Sequence, residues 1–165
     1  MEVALAVGGC FNMAQRDSRR LAMVLPHLYP DLKGTPPTVN GEYKPELADY
    51  LLRNDTNGTG TYIIWQNSEI PEPTAQELAD AKEGAINAVW WKSLRFNRDR
   101  LLKDSDWSQG TDIPSDLKTS YATYRNDLRN LPTTVVKPSF ETLNNQGGGE
   151  WITNIRALMP TKPNE

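Results

Sequence analysis

Three aspartates and three arginines in the segment 90–132 are the side chains best suited to chemistry. They are Asp104, Asp106, Asp112, Arg95, Arg98 and Arg125. Clustered carboxylates can serve as general acid and base or bind a metal ion. Arginines at the same turn favour a different use, because Arg–carboxylate pairs form strong, directed hydrogen bonds. We therefore interpret the six side chains as charge-paired anchors of a turn and predict no carboxylate active site.

Other catalytic and cofactor-binding patterns are missing from the sequence. One histidine and one cysteine exclude Cys/His zinc sites and an internal disulfide. No nucleophile elbow, phosphate-binding loop or zinc-protease motif occurs. We expect His27 to be structural and Cys10 to be an inert small apolar residue. The sequence predicts a protein that is not an enzyme and that carries no cofactor or metal.

Charge and hydropathy limit the classes of partner. The formal net charge is −3, which predicts no long-range attraction to nucleic acid or to anionic membrane. No apolar run approaches the ~18–20 residues that span a bilayer, so we expect no membrane partner. A local exception is a basic stretch, interleaved with Trp91 and Phe96, that contains Lys92, Arg95, Arg98, Arg100 and Lys103. A nucleic-acid-binding helical hairpin therefore remains an alternative, which the acidic chain as a whole disfavours.

The same segment predicts two helices folded into a hairpin. Apolar residues recur at helical spacing in a first arm, at Ile86, Trp90, Leu94 and Leu101, and in a second arm, at Leu117, Tyr121, Tyr124, Leu128 and Leu131. Helices this close in sequence pack on each other or on a third element. We expect Trp107 to be buried at the end of this seam. Ser115 is the expected N-cap of the second helix, and Pro132 is expected to end it.

The remaining elements follow from periodicity and capping. A helix is predicted from Asn12 to Pro30, with Gln15 completing a capping box. A β-hairpin is predicted from Leu47–Arg53 and Thr61–Gln66, although Leu47–Leu52 is also compatible with a helical turn. Thr74 and Glu77 form a second capping box, which predicts a long helix from Ala75 to about Lys103.

The predicted fold class is α+β and mainly α. A small N-terminal helix and a β-hairpin (1–70) precede the long helix and the antiparallel helical hairpin (71–132). An extended C-terminal arm (133–165) follows, in which residues 133–149 end in a triple-glycine joint. Beyond the joint, helically spaced residues are partner-binding candidates: Trp151, Ile152, Ile155, Leu158 and Met159. A tail that folds back on its own core is an equally weighted alternative.

The hairpin segment resembles a known family. Its pattern W-x-x-x-R-x-x-R-D-x-L-L-x-x-S-D-W-x-Q, followed by D-x-P and Y-R-x-x-L-R-x-L-P, is similar to the domain of bacteriophage tail assembly chaperones and related tail-fibre-associated proteins. The residues that define it here include Trp91, Arg95, Arg98, Asp106, Trp107, Asp112, Pro114, Tyr124, Arg125 and Arg129. The resemblance covers about a quarter of the chain and implies partners among phage tail or tail-fibre proteins, or copies of the chain itself.

Two functions are compatible with this resemblance. The first is a structural or accessory tail protein, such as a fibre- or baseplate-associated adaptor that is assembled in the host cytoplasm and remains in the virion tail. Chain ends and glycine-rich tethers fray unless partners hold them. A protein that stays bound to its partners would have both ends held, and this favours the structural or accessory tail protein. The alternative is a transient tail or tail-fibre assembly chaperone, which the resemblance itself names.

Overall fold

The computed structural model describes residues 20–55, 60–146 and 148–163. The predicted fold class is confirmed, because the protein is mainly helical with small antiparallel strand pairs. The chain separates into two compact units, Met1–Ile86 and Asn87–Glu165. The division into 1–70, 71–132 and 133–165 remains a prediction.

The described part of the first unit contains one short helix, two short strand pairs and the start of a long helix that continues into the second unit. Helix α1 is described over residues 20–28, and strands β1 (Thr38–Val39) and β2 (Glu42–Tyr43) follow. Strands β3 (Tyr50–Asp55) and β4 (Gly60–Trp65) form the second pair. The expected helix start at Asn12 and the residue Cys10 lie outside the described residues.

The predicted β-hairpin is confirmed, with a later start to its first strand. Tyr50 pairs with Trp65 in the antiparallel register, and their rings stack with centroids 6.0 Å apart. Leu47, the first residue of the predicted strand, instead ends a 3-10 turn (Pro45–Leu47). Pro45 favours this turn, because proline fixes φ at a helical value.

Strands β1 and β2 were not predicted, although the sequence contains their signal. Asn40 and Gly41 both have positive φ, 52° and 79°, the conformation that a two-residue hairpin turn requires. An Asn-Gly pair is the strongest short-range indicator of such a turn. The flanking strands are only two residues long and exposed. They are therefore too short to show the alternation of apolar and polar residues that identifies a strand in the sequence.

His27 has a packing role in the first unit. A Cβ atom placed on Gly84 would lie 2.9 Å from His27 Nε2, which is closer than real Cβ contacts. The exposed imidazole therefore lies close to the helix at a residue that has no side chain.

Helix α2 (Ala75–Asp104) confirms the predicted long helix and its start. The Thr74 backbone N–H donates to Glu77 Oε2 at 2.7 Å, and the Glu77 N–H donates to Thr74 Oγ1 at 3.2 Å. These reciprocal bonds are the predicted capping box. The Glu77 carboxylate also accepts the Thr74 hydroxyl at 2.8 Å. The bonds from the Thr74 backbone N–H and then from its hydroxyl hold the pKa of Glu77 below its ordinary value.

Asp49 should make the stability of the first unit dependent on pH. It accepts hydrogen bonds from the Lys33 backbone N–H at 2.7 Å and from Asn67 Nδ2 at 2.8 Å. The Lys33 bond is the main cause that holds the pKa of Asp49 below its ordinary value of 3.8. The stabilisation is therefore complete above pH 3.8 and is lost as the pH falls through the lowered value. In thermal melts, Asp49→Asn should lower Tm at neutral pH, and its difference from wild type should shrink on acidification. A difference that is constant with pH would contradict this assignment.

The second unit is helical throughout its regular elements. After α2, a 3-10 turn (Asp106–Gln109) leads to α3 (Ser115–Thr134), α4 (Phe140–Asn145) and α5 (Gly148–Ala157). The chain returns antiparallel to α2, because Arg125 contacts Leu102 whereas the later Lys137 bonds to the earlier Asn87. This return confirms the predicted helical hairpin.

Three details differ from the prediction in this unit. Pro114, not Ser115, is the N-cap of α3, and α3 continues past Pro132 to Thr134. A proline disturbs the turn that precedes it, because its ring clashes with the carbonyl four residues earlier and it has no N–H to donate. The residues after Pro132 do not have this clash, so the helix continues to Thr134. Residues 140–145, expected to be extended, are helical because Ser139 Oγ accepts the Thr142 N–H at 3.2 Å as an N-cap.

The hairpin core follows the predicted apolar stripes. Tyr121, Tyr124 and Leu128 of α3 are buried in one cluster, against which Leu101, Leu102, Leu117 and Met159 pack. Trp90 and Leu94 of α2 are also buried. Tyr121 and Tyr124 meet edge-to-face at 6.0 Å between ring centroids, the geometry that aromatic quadrupoles favour.

Candidate interaction site on the helical hairpin

The turn between α2 and α3 is closed by two buried serines. Ser105 Oγ donates to the carbonyl oxygens of Leu101 and Leu102 at 2.8 and 3.0 Å, and Ser108 Oγ donates to the Ser105 carbonyl at 2.7 Å. These bonds satisfy carbonyls that the end of a helix leaves without intrahelical partners. Ser105 belongs to the family pattern W-x-x-x-R-x-x-R-D-x-L-L-x-x-S-D-W-x-Q. Ser108 has no such signal, because serine is common in any turn.

Arg125 of α3 anchors this turn as predicted. Its Nη1 donates to the Leu102 carbonyl oxygen at 2.6 Å and to Ser105 Oγ at 2.8 Å. Its Nη2 pairs with Asp106 Oδ1 at 2.8 Å. The guanidinium, only 6% exposed, thus lies at the carbonyl end of α2, where the helix dipole favours a cation.

The prediction is wrong for the other two arginines. Arg98 pairs with its neighbour Asp99, with Nη2 2.6 Å from Oδ1, and Arg95 lies 5.7 Å from the centroid of the Trp91 ring. Both contacts are local to α2 and do not reach the turn. A contact with a carboxylate or ring nearby on the same helix restricts a long, flexible side chain less than a contact with the turn would. It therefore costs less conformational entropy.

The predicted burial of Trp107 is also wrong. The indole is 41% exposed, although one edge contacts Tyr121 at 4.9 Å between ring centroids. Its place on the 3-10 turn at the tip of the hairpin leaves the remaining surface in water. Asp112, Pro114 and Arg129 are exposed as well.

Two polar side chains near this turn, Tyr124 and Asp106, are buried or already paired. Burial is the main cause that raises the pKa of Tyr124, so its hydroxyl keeps its proton at neutral pH. Asp106 is already paired with Arg125. Within residues 20–55, 60–146 and 148–163, no group of three or more metal-binding side chains comes together. The hairpin also exposes two large apolar side chains, Phe96 and Trp107.

The predicted family resemblance is confirmed by a family match. Residues 91–143 match the phage tail assembly chaperone protein family. The matched part, called here the chaperone-family segment, extends from α2 to α4 and covers about a third of the chain. No curated protein and no solved structure matches the chain.

This match bears on the two expected functions. It supports a role related to phage tails and fits the chaperone alternative better than a structural adaptor of the tail fibre or baseplate. Of the helices in the described ranges, none combines the length and the apolar character that crossing a membrane requires.

Helix α5, which follows the chaperone-family segment, is partly built into its own unit. Trp151 and Ile155 are buried, and Trp151 Nε1 donates to the Leu143 carbonyl at 3.0 Å. Met159 packs on the Tyr121 cluster. Ile152 and Leu158 remain exposed, at 48% and 37%. The predicted partner-binding role stays a prediction, and these two residues are the accessible part of it.

Replacing Trp107 by alanine should have a modest effect on folding. The edge-to-face contact with Tyr121 and the buried part of the ring are lost, which we expect to cost about 1–2 kcal/mol in free energy of unfolding. Chemical denaturation monitored by circular dichroism measures this cost. A loss as large as that of a core tryptophan would show that the turn closes over the indole.

Proposed function

We propose that this protein is a phage tail assembly chaperone. It binds a newly made tail protein in the host cytoplasm and is released before the particle is complete. The observation that supports the proposal is the match of residues 91–143 to the phage tail assembly chaperone protein family. The proposal extends this role from the matched hairpin to the whole chain.

The exposed surface of the second unit supports a binding role. Large apolar side chains are exposed at Phe96, Trp107, Val136, Ile152 and Leu158. Two of them, Phe96 and Ile152, line one concave surface. Exposed apolar surface of this kind marks sites of protein–protein contact, and an assembly chaperone needs such surface to cover apolar regions of its client. The protein acts in this proposal by binding alone, without catalysis.

A structural adaptor that stays in the tail is the competing function. It uses the same partners but differs in its fate, because an adaptor is a permanent part of the particle. Self-association is compatible with both functions and is a separate question from client binding.

Co-expression with individual tail proteins of the same phage tests client binding. We expect the soluble fraction of one tail protein to rise and the two chains to co-purify, because the chaperone covers apolar surface that otherwise aggregates. An unrelated helical protein of similar size, expressed at the same level, is the control. If no tail protein gains solubility or co-purifies, the chaperone function is rejected.

A further inference from the structure

Helices α2 and α5 line a groove of about 340 Å³ on the second unit. Phe96 of α2 and Ile152 of α5 provide its apolar surface, and Lys92, Arg100 and Arg156 provide its charge. These five residues define what we call the basic groove. The volume is near the lower limit of ligand pockets, so it accommodates one or two side chains of a larger partner.

The spacing of these residues makes the basic groove a continuous strip. Lys92, Phe96 and Arg100 are four residues apart along one face of α2, and Ile152 and Arg156 are four apart on α5. The side chains that stabilise the two helices point elsewhere, because Trp90, Leu94, Trp151 and Ile155 are buried. The groove residues are therefore not needed to fill the core.

Two large apolar side chains remain exposed across this strip. Phe96 is 69% exposed and Ile152 is 48% exposed. Isolated exposed apolar residues are common on protein surfaces, whereas paired ones that line a concave site indicate a contact surface. A partner that covered both would gain apolar burial without any rearrangement of the core.

The charge of the groove identifies the kind of partner. In the described part of the chain, neither Lys92, Arg100 nor Arg156 forms an ion pair. Asp99, the acidic residue of α2 within this stretch, is paired with Arg98. The cations are thus available to a partner, and a positive groove on a chain of net charge −3 selects local negative charge.

We propose that the basic groove binds an acidic amphipathic segment of the client tail protein. This inference rests on the proposed chaperone function for the source of the segment. Apolar side chains of the segment would cover Phe96 and Ile152, while its carboxylates would pair with Lys92, Arg100 and Arg156. The distance from Lys92 to Arg100 along α2 is about 12 Å at 1.5 Å per residue, which matches about two turns of a client helix.

A peptide probe tests the chemistry of the groove directly. The probe is a fluorescein-labelled peptide with leucines on one helical face and glutamates beside them. Two matched peptides replace its glutamates by lysine or its leucines by glutamine. Fluorescence anisotropy with the full chain should show at least about tenfold weaker binding for both matched peptides, because each loses charge pairing or apolar burial. Equal binding of all three peptides would overturn the proposal.

Substitutions in the groove locate the binding. Phe96→Ala and the double change Lys92→Glu/Arg100→Glu should each weaken binding of the acidic peptide by at least about tenfold. Leu47→Ala removes an exposed apolar side chain of the first unit, and Arg129→Glu reverses another exposed charge of the second unit, so these controls should leave affinity unchanged. All five substituted positions are exposed, and circular dichroism should show unchanged folding. Equal effects of groove and control variants would reject the site.

Two other occupants of the groove, nucleic acid and a second copy of the chain, are tested with the same variants. Tighter binding of duplex DNA than of the acidic peptide, lost in the charge-reversed variant, would assign the groove to nucleic acid and overturn the proposal. Self-association that Phe96→Ala abolishes, without peptide binding, would assign it to a second copy and overturn it as well.

The outcomes also separate this proposal from the chaperone function. A wild-type chain that solubilises a tail protein equally well with and without the groove substitutions retains the function and rejects the groove. A chain that solubilises no tail protein but binds the acidic peptide through the groove rejects the function and retains the site.

Discussion

Replacing Trp90 by alanine should lower the free energy of unfolding of the second unit by about 3–5 kcal/mol. Trp90 is 1% exposed and meets Trp91 edge-to-face with ring centroids 4.9 Å apart. The substitution removes the largest fully buried side chain of the described structure and leaves a cavity that the surrounding helices only partly fill. Urea denaturation monitored by circular dichroism measures the loss.

Trp107 provides a matched comparison for this experiment. The chemical change is the same, but Trp107 is 41% exposed, so its replacement should cost clearly less. A larger loss at Trp107 than at Trp90 would contradict the core described for the hairpin.

Replacing Arg125 by alanine should lower the free energy of unfolding by about 2–4 kcal/mol, because buried hydrogen-bond acceptors lose a charged donor. Most of this loss comes from the bonds to the Leu102 carbonyl and Ser105 Oγ. The ion pair with Asp106 contributes little, because that carboxylate is 65% exposed and solvent screens it. Arg125→Lys should recover only part of the loss, since an ammonium cannot reproduce the fork of the guanidinium.

Arg129 is the control for this second experiment. It lies on the same helix but is exposed, so Arg129→Ala should change stability by no more than about 0.5 kcal/mol. If Arg125→Ala has an equally small effect, the turn is held by its serines alone and Arg125 is not its anchor.

The elements with local signals were predictable from sequence. The capping box of Thr74 and Glu77 fixed the start of α2 at the observed residue, because the two side chains and the two N–H groups that they bind lie within one turn. The stripe at Tyr121, Tyr124 and Leu128 predicted the buried face of α3, since helical spacing alone determines which residues share a face. Helix α4 also had a local signal, an N-cap at Ser139 and an acidic residue, Glu141, in the first turn. The prediction of an extended segment did not use this signal.

The partners of long charged side chains were not predictable in the same way. Arg98 and Arg125 are both near acidic residues in sequence, yet only Arg125 reaches the turn. The choice depends on which side of each helix faces the turn after packing. Trp107 illustrates the same limit, because its burial depends on whether another element covers the tip of the hairpin.

The basic groove is the clearest case of a site that sequence could not reveal. Phe96 and Ile152 are far apart in the chain, and they line one groove only because the fold places α5 beside α2. The sequence marked Ile152 as a partner-binding candidate and Lys92 and Arg100 as part of a basic stretch. Only the tertiary structure joins them into one surface.

The fate of the protein during assembly tests its proposed chaperone function most directly. Quantitative mass spectrometry should be applied to purified phage particles and to tail-assembly intermediates isolated from the producing cells. We predict that the protein is bound to a tail protein in the intermediates and is present at well below a single copy per finished particle. A fixed number of copies in every purified particle would contradict the chaperone function and identify the protein as a structural component of the tail.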